Sequence, residues 1–205
     1  MPPLHLGIDL DNTIVDYEHV FADVGVAIGL LQPELALSGK EMVKSHLAAQ
    51  SETLWMRLQG QVYGRFIAQA RPYPGVQEFI TVLRGRGARI SIVSHKTRFG
   101  HFDAEQVDLW EAARAWLAAQ GFIGGVTLAG EDVHFLESRE AKIARIAQLG
   151  CDVFIDDLPE LLLHPDFPAA TRPIWFAGSR PETEGQGLPP FRTWQAIKSE
   201  ILSLR

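Results

Sequence analysis

The sequence predicts an α/β fold: a parallel sheet with helices on both faces, interrupted near its amino terminus by an all-helical insert. Short runs rich in Ile and Val alternate with helical patterns along most of the 205 residues, and this alternation requires crossover connections between parallel strands. Residues 17–71 break the alternation because they hold helical patterns and no good strand. We therefore expect a core of residues 1–16 and 72–205, with residues 17–71 inserted directly after the first strand.

Four apolar runs are predicted to be buried strands because they are short and rich in Ile and Val. They span residues 4–10, 88–94, 152–155 and 173–176, and residues 125–129 form a weaker candidate. The Pro- and Gly-rich stretch 178–190 indicates a long surface loop after the last of these strands.

The connecting helices follow from helical periodicity and from capping residues. The predicted core helices span residues 74–86 and 193–204, with two more between them. Those two are expected to begin at the N-caps Asp103 and Ser138 and to end at Gly121 and Gly150. The insert is predicted to hold helices near residues 20–31, 39–49 and 52–70.

The composition excludes several classes of protein. The chain has 25 Asp and Glu against 19 Lys and Arg, for a net charge of −6, whereas nucleic-acid binders need a basic excess. Its one cysteine, Cys151, permits no internal disulfide or Cys-based zinc site and is expected to be a core residue. The sequence shows neither a signal-peptide pattern nor an apolar run near the roughly 20 residues that span a bilayer. We expect a cytoplasmic protein with no nucleic-acid or membrane partner.

Polar side chains follow three of the predicted strands, at the edge where open parallel sheets carry their sites. Asp9, Asp11 and Thr13 lie at the end of the first strong run, and Ser94 ends the second. Asp156 and Asp157 follow the third. Lys142 lies in the first turn of the helix that leads into the strand before Asp156. Four acids, two hydroxyls and an ammonium are thus expected at one edge of one sheet.

Phosphoryl transfer is a chemistry that these groups can share. Asp9 and Asp156 offer the hard oxygen ligands that suit Mg²⁺, and a carboxylate such as Asp9 can attack phosphorus to form an acyl phosphate. Asp11 can protonate the leaving oxygen and then activate water. Ser94 can donate a hydrogen bond to a phosphoryl oxygen, and Lys142 can neutralise the charge that develops there. Taken singly, each residue also has an ordinary structural role, as a turn acid, a strand end or a solvated lysine.

The order Asp9-x-Asp11-x-Thr13, Ser94, Lys142 and Asp156-Asp157 resembles the four motifs of the haloacid dehalogenase-like hydrolase superfamily, over essentially the whole chain. The resemblance implies a Rossmann-like core with a small helical cap inserted after the first motif, which matches the insert at 17–71. It also implies bound Mg²⁺ and a phospho-aspartyl intermediate.

The resemblance assigns a role to each motif residue. Asp9 is the nucleophile and Asp11 the general acid and base, while Ser94 and Lys142 anchor the phosphate. Asp9, Asp156, Asp157 and the backbone carbonyl of Asp11 hold the metal. Asn12 and His95, which adjoin the first and second motifs, are further candidates for phosphate binding.

The acid at position 11 favours a phosphatase, because the superfamily's dehalogenases lack an acid there. A cap that closes over the site and excludes water favours a small phosphorylated metabolite as the substrate. A phosphomutase, or a catalytically quiet binding domain on the same fold, is the alternative. The sequence identifies neither the phosphate ester nor the oligomeric state.

Two further groups are candidates for binding the substrate. His95, Lys96, Arg98 and His101 form a basic loop suited to a second anionic group, or else a solvated loop. The insert offers Trp55, Arg57, Tyr63 and Arg65, whose alternative roles are helix packing and an exposed charged face. By contrast, Glu131, Asp132 and His134 lack a third ligand at recognisable spacing and are predicted to be loop residues.

Overall fold

The structure is a computed structural model that describes residues 3–35, 37, 39–124 and 128–203. Its strands are β1 (His5–Ile8), β2 (Val15–Asp16), β3 (Arg71–Pro72), β4 (Arg89–His95), β5 (Val133–Leu136), β6 (Val153–Asp156), β7 (Arg172–Phe176) and β8 (Pro190–Phe191). Its α-helices are α1 (Val20–Ala27), α2 (Lys40–Gln50), α3 (Glu52–Tyr63), α4 (Val76–Gly85), α5 (Leu109–Ala119), α6 (Arg139–Leu149), α7 (Pro159–Leu162) and α8 (Trp194–Ser203).

Six strands in the described part of the chain form one parallel sheet, in the order β5-β4-β1-β6-β7-β8. The chain runs outward from β1 in both directions, so the strand order reverses at β1. Every residue of β1 is buried, as expected for a central strand covered on both faces. The α/β fold with a parallel sheet is therefore confirmed, and the four strong strand predictions correspond to β1, β4, β6 and β7.

The helices around the sheet each bury one apolar face, as helical periodicity requires. Helix α4 buries Val76, Phe79, Ile80 and Leu83, and α8 buries Trp194, Ile197 and Ile201. Helix α6 begins at Ser138, whose side chain accepts from the Ala141 amide, and it ends at Gly150, as predicted. Cys151 is buried in the core between α6 and β6, together with Phe154 and Trp175.

Two compact units divide the chain. The sheet unit comprises Met1–Val15, Pro72–His95 and Gly121–Arg205, and the helical unit comprises Asp16–Arg71 and Lys96–Gln120. The helical unit therefore contains residues 96–120, which the sequence analysis placed with the core. That residues 17–71 act by themselves as a cap stays a prediction.

Backbone contact joins the two segments of the helical unit. Gly60 in α3 faces Gly100, and a Cβ added to Gly100 would lie 2.7 Å from the Gly60 Cα. Around this contact, Gln61 Nε2 donates to Asp103 Oδ1 at 3.1 Å and Arg65 pairs with Glu105 at 3.2 Å. The loop after β4 is thus packed directly on α3.

The predicted N-cap at Asp103 is wrong. Helix α5 is capped by Asp108, whose side chain accepts from the Trp110 and Glu111 amides. Asp103 instead accepts from the Glu105 and Val107 amides, and Gln106 between them has a left-handed φ of 50°. A right-handed helix cannot include such a residue, so it begins later.

Four strands were not predicted, namely β2, β3, β5 and β8. The weak candidate at 125–129 lies partly outside the described residues, and the edge strand is β5, so His134 lies in a strand and not in a loop. Residues 178–190, predicted to be a surface loop, contain a 3₁₀ turn at Glu182–Gly185 and lead into β8. Among the described helices, none has the length and hydrophobicity needed to cross a membrane.

Candidate active site

The site lies where β1 and β6 end side by side, at the point where the strand order reverses. Ile8 pairs in register with Ile92 of β4 and Ile155 of β6, and the Asp9 amide donates to the Ile155 carbonyl at 2.9 Å. Asp9 and Asp156 therefore follow the same rung of the sheet. Open α/β sheets bind their ligands at this kind of switch point.

Lys142 joins the two carboxylates. Its Nζ lies 2.6 Å from Asp9 Oδ1 and 2.6 Å from Asp156 Oδ2, and all three side chains are buried. Ser138 caps α6, so Lys142 is in the helix's first turn, where a lysine opposes the helix dipole. Its contacts with two carboxylates account for a positive charge in that position.

Burial and the neighbouring charges together shift the pKa values of Asp9 and Lys142. Burial raises the pKa of Asp9 to about 8, helped by the neighbouring Asp156 and Asp157 charges, although Lys142 acts in the opposite direction. Burial by itself would lower the pKa of Lys142, but the Asp156 and Asp9 carboxylates outweigh it and raise that pKa above its usual value. Lys142 is thus a permanent cation, whereas Asp9 needs further positive charge to stay ionised at neutral pH.

The turn after Asp9 explains the spacing of the first motif. The Leu10 carbonyl accepts from the Thr13, Ile14 and Val15 amides, and Thr13 Oγ1 donates to Asp9 Oδ2 at 3.3 Å. This tight turn needs a left-handed residue, and Asn12, with a φ of 61°, supplies it. Asn12 therefore has a structural role, and its predicted role in phosphate binding stays a prediction.

Ser94 and His95 end β4 next to this turn. Ser94 is buried, and its hydroxyl has no hydrogen-bond partner among the described residues. Such orphaned polar atoms are rare in folded proteins, so a donor with no partner at a sheet edge is available to a ligand. Much of the surface of His95 is exposed. The part of its imidazole that is buried and the charge of Lys142 together lower the pKa of the ring.

Three acids offer a metal site. Asp9, Asp156 and Asp157 each present a carboxylate oxygen, and these oxygens lie within 4.8 Å of one another. Octahedral Mg²⁺ with ligands at about 2.1 Å separates them by roughly 3 to 4 Å, so small side-chain movements suffice. The hard oxygen donors fit Mg²⁺, and no other group of three such residues occurs in the ranges that the structure describes.

Arg180 was missed by the sequence analysis. It lies in the loop after β7, and its guanidinium bonds Asp157 twice, through Nη2 to Oδ2 at 2.9 Å and through Nη1 to the carbonyl at 2.6 Å. Because β7 is parallel to β6 and ends at the same edge of the sheet, the position of Arg180 after a predicted strand was the available signal.

The candidates for substrate binding in the helical unit differ in their surroundings. Trp55 is buried against Phe21, which matches helix packing. Arg57 is exposed, Arg65 pairs with Glu105, and Arg98 pairs at 2.8 Å with Asp108, the cap of α5. Lys96 is buried, with its Nζ 4.4 Å from the centre of the Tyr63 ring.

No family model matches the chain, and no curated protein matches its sequence. Solved structures match along nearly its whole length. A predicted phosphatase from Clostridium acetobutylicum has a TM-score of 0.64 and 13% identity, covering 99% of this chain and 100% of its own. A predicted phosphoglycolate phosphatase from Haemophilus somnus has a TM-score of 0.59 and 16% identity, covering 97% and 98%. A haloacid dehalogenase-family hydrolase from Deinococcus radiodurans, with bound phosphate and sodium, has a TM-score of 0.58 and 17% identity, covering 98% of this chain and 96% of its own.

The chain therefore has the fold of haloacid dehalogenase-like hydrolases, as the order of the motifs predicted. At identities of 13 to 17%, structural similarity establishes the fold alone. The activity has to be argued from the site itself.

Proposed function

We propose that the protein is a Mg²⁺-dependent phosphomonoester hydrolase that acts through a phospho-aspartyl intermediate on Asp9. One observation carries the proposal: Lys142 holds Asp9 and Asp156 together at the sheet edge, next to the orphaned hydroxyl of Ser94. A nucleophile, a permanent cation and a hydrogen-bond donor thus meet in one place. The structural neighbours described as phosphatases support the same class of reaction.

Asp9, Asp156 and Asp157 would hold the metal. When bound there, Mg²⁺ would lower the pKa of Asp9 and offset the negative charge that otherwise repels a phosphate. With Asp11 protonated, as the first step requires, the other three acids leave one negative charge beyond those that Lys142 and Arg180 offset, so a divalent cation would make the site positive and favourable for a phosphate.

The chain's own residues account for the steps. An Asp9 carboxylate oxygen forms a bond to phosphorus as the ester oxygen leaves, and Asp11 gives its proton to that oxygen. Asp11, now a carboxylate, takes a proton from a water that attacks the phosphorus of the acyl phosphate. The Asp9–phosphorus bond breaks, which releases inorganic phosphate and restores Asp9. Ser94 and Lys142 stabilise the negative charge on the phosphoryl oxygens in both steps.

We further propose that the helical unit selects the substrate, a small phosphorylated metabolite. The chain enters this unit soon after Asp9 and again directly after His95, so both entry points adjoin the ends of β1 and β4. Lys96 is a candidate within it for reading a second anionic group, because it directly follows β4 and its buried ammonium lies 4.4 Å from the centre of the Tyr63 ring.

Turnover of a generic aryl phosphate, with Mg²⁺ and with excess chelator, tests the reaction class. We expect activity that requires the cation, and a phosphorylated Asp9 in acid-quenched protein analysed by mass spectrometry. Asp9→Asn should abolish both signals without loss of fold, since an amide cannot form the acyl phosphate. Asp166→Asn, a change at an exposed side chain, is the matched control. Undiminished turnover in folded Asp9→Asn would refute the mechanism.

A further inference from the structure

Asp157 is held differently from the other two acids of the proposed metal site. Asp9 and Asp156 contact Lys142, whereas Asp157 is bound by Arg180 at both its carboxylate and its carbonyl. The indole nitrogen of Trp175 donates to the same carbonyl at 3.2 Å. The position of Asp157 is thus fixed from the side of β7.

Arg180 is itself held by a network. Arg192 Nη1 donates to the Arg180 carbonyl at 3.0 Å and to the Gly178 carbonyl at 3.1 Å. Further along, Gly185 lies so close to the ring of Trp175 that an added Cβ would come within 2.2 Å of it. The loop after β7 is therefore packed onto Trp175, which also donates to the Asp157 carbonyl. Arg180 thus contacts Asp157 from a backbone that is held in place.

The bonding of Arg180 is that of an orienting group. A guanidinium presents its donors in a rigid plane, so two bonds to one residue fix a direction as well as a charge. Asp157 is nearly inaccessible, with 5% of its side chain exposed, whereas 21% of the Arg180 side chain is exposed. Arg180 therefore orients a buried acid, and partners of this kind tune the affinity of metal ligands.

We propose that Arg180 is a positioning residue for Asp157 and that it sets the Mg²⁺ affinity of the site by holding the Asp157 carboxylate towards Asp9 and Asp156. The inference rests on the proposed function, because it requires the metal site. It extends the site to the loop after β7, which none of the four motifs contains.

Arg180→Lys is the informative variant, because it keeps the positive charge and removes the planar pair of bonds. We expect calorimetric titration with Mg²⁺ alone to show binding about 10- to 100-fold weaker than in the wild type. Turnover of an aryl phosphate should return towards the wild-type rate at saturating Mg²⁺, since the remaining ligands are intact. Arg172→Lys is the matched control, because Arg172 pairs with Glu200 at the opposite end of β7, and its Mg²⁺ affinity should be unchanged.

A double-mutant cycle separates positioning from a general structural effect. If Arg180 acts through Asp157, Arg180→Lys should change the Mg²⁺ affinity of an Asp157→Asn variant by no more than about twofold. Should Arg180→Lys fail to fold by circular dichroism, Arg192→Gln tests the same network from a more exposed residue and should weaken Mg²⁺ binding in the same direction.

The outcomes are distinguishable. Wild-type Mg²⁺ affinity in folded Arg180→Lys, or in Arg192→Gln where that variant decides, overturns the inference and leaves the proposed function standing. The inference is also overturned if Arg180→Lys weakens Mg²⁺ binding equally in the wild type and in the Asp157→Asn variant. Absence of Mg²⁺ binding by the wild-type protein overturns the metal site and the inference together.

Discussion

Lys142 Nζ lies 2.6 Å from Asp9 Oδ1, although 133 positions separate the two residues in the chain. The same nitrogen lies 2.6 Å from Asp156 Oδ2. The first turn of α6 thereby joins the ends of β1 and β6, and the buried ammonium is a structural partner of the two acids as well as a candidate phosphate anchor. Stability and activity should consequently respond together to changes at Lys142.

Lys142→Met should destabilise the metal-free protein by about 3–5 kcal/mol, because it leaves buried carboxylates without their cation. Turnover at saturating Mg²⁺ should fall by about 100- to 1,000-fold. Chemical denaturation and aryl phosphate turnover measure the two effects. Lys198→Met removes a pair with exposed Glu78 and should cost less than about 1 kcal/mol. Comparable losses in the two variants would contradict a special role for Lys142.

Asp9 predicts a pH dependence of stability. Its folded-state pKa of about 8 exceeds the unfolded value of about 4, so the carboxyl favours the folded state most below pH 4. That contribution is lost as the pH rises to about 8. In chelator, the free energy of unfolding of the wild type should therefore fall relative to Asp9→Asn between pH 5 and 8.

The difference in free energy of unfolding between the wild type and Asp9→Asn should change by up to about 1.4 kcal/mol per pH unit. Denaturant titrations at several pH values measure it. Saturating Mg²⁺ should flatten the difference, because a nearby cation lowers the pKa of Asp9. A difference independent of pH in chelator would show that burial does not raise the pKa of Asp9.

Asp11→Asn should discriminate between leaving groups. An activated aryl oxide hardly needs a proton, whereas an alkoxide does, so phosphorylation of Asp9 by an alkyl phosphate should slow by about 100- to 10,000-fold. Hydrolysis of the intermediate should also slow, because the general base is gone. Rapid-quench experiments should then show phosphorylated protein accumulating with the aryl substrate only. Equal slowing of phosphorylation by both esters would exclude Asp11 as the acid.

Lys96→Met should alter substrate preference. Lys96 is buried against the face of Tyr63, where Met can replace its apolar stem without its charge. We expect a higher KM for esters that carry a second phosphate or carboxylate, and little change for a simple aryl phosphate. Arg65→Met, which breaks an exposed pair, is the control. An unchanged ranking across a panel of phosphorylated metabolites would remove Lys96 from substrate recognition.

Much of the sheet and of the site could be predicted from the sequence because both depend on local patterns. Buried central strands are short apolar runs, and the residues after parallel strands meet at one edge, so the sequence alone predicts that Asp9, Ser94 and Asp156 lie at the same edge of the sheet. The contact of Lys142 with both carboxylates depends on the orientation of α6, which periodicity places on a face and does not fix at the level of single atoms.

The remaining features depend on tertiary contacts. Strand β5 lies at the end of the sheet, and its residues alternate between buried and half-buried, so it lacks the continuous apolar run that identifies a central strand. Asp103 and Asp108 are both plausible caps by composition, and the left-handed Gln106 decides between them. Arg180 resembles any surface arginine until its loop is seen packed against Trp175.

The two-part construction of the helical unit has a consequence for recombination. Gly60 and Gly100 contact each other backbone to backbone, so residues 16–71 and 96–120 form one structural unit despite their separation along the chain. A chimera that exchanges residues 16–71 alone would set a foreign helix against the native loop, and any side chain at the position of Gly60 would crowd the Gly100 backbone. If the helical unit selects the substrate as proposed, exchanging that selectivity with another protein of the same fold should succeed only when both segments come from the same parent.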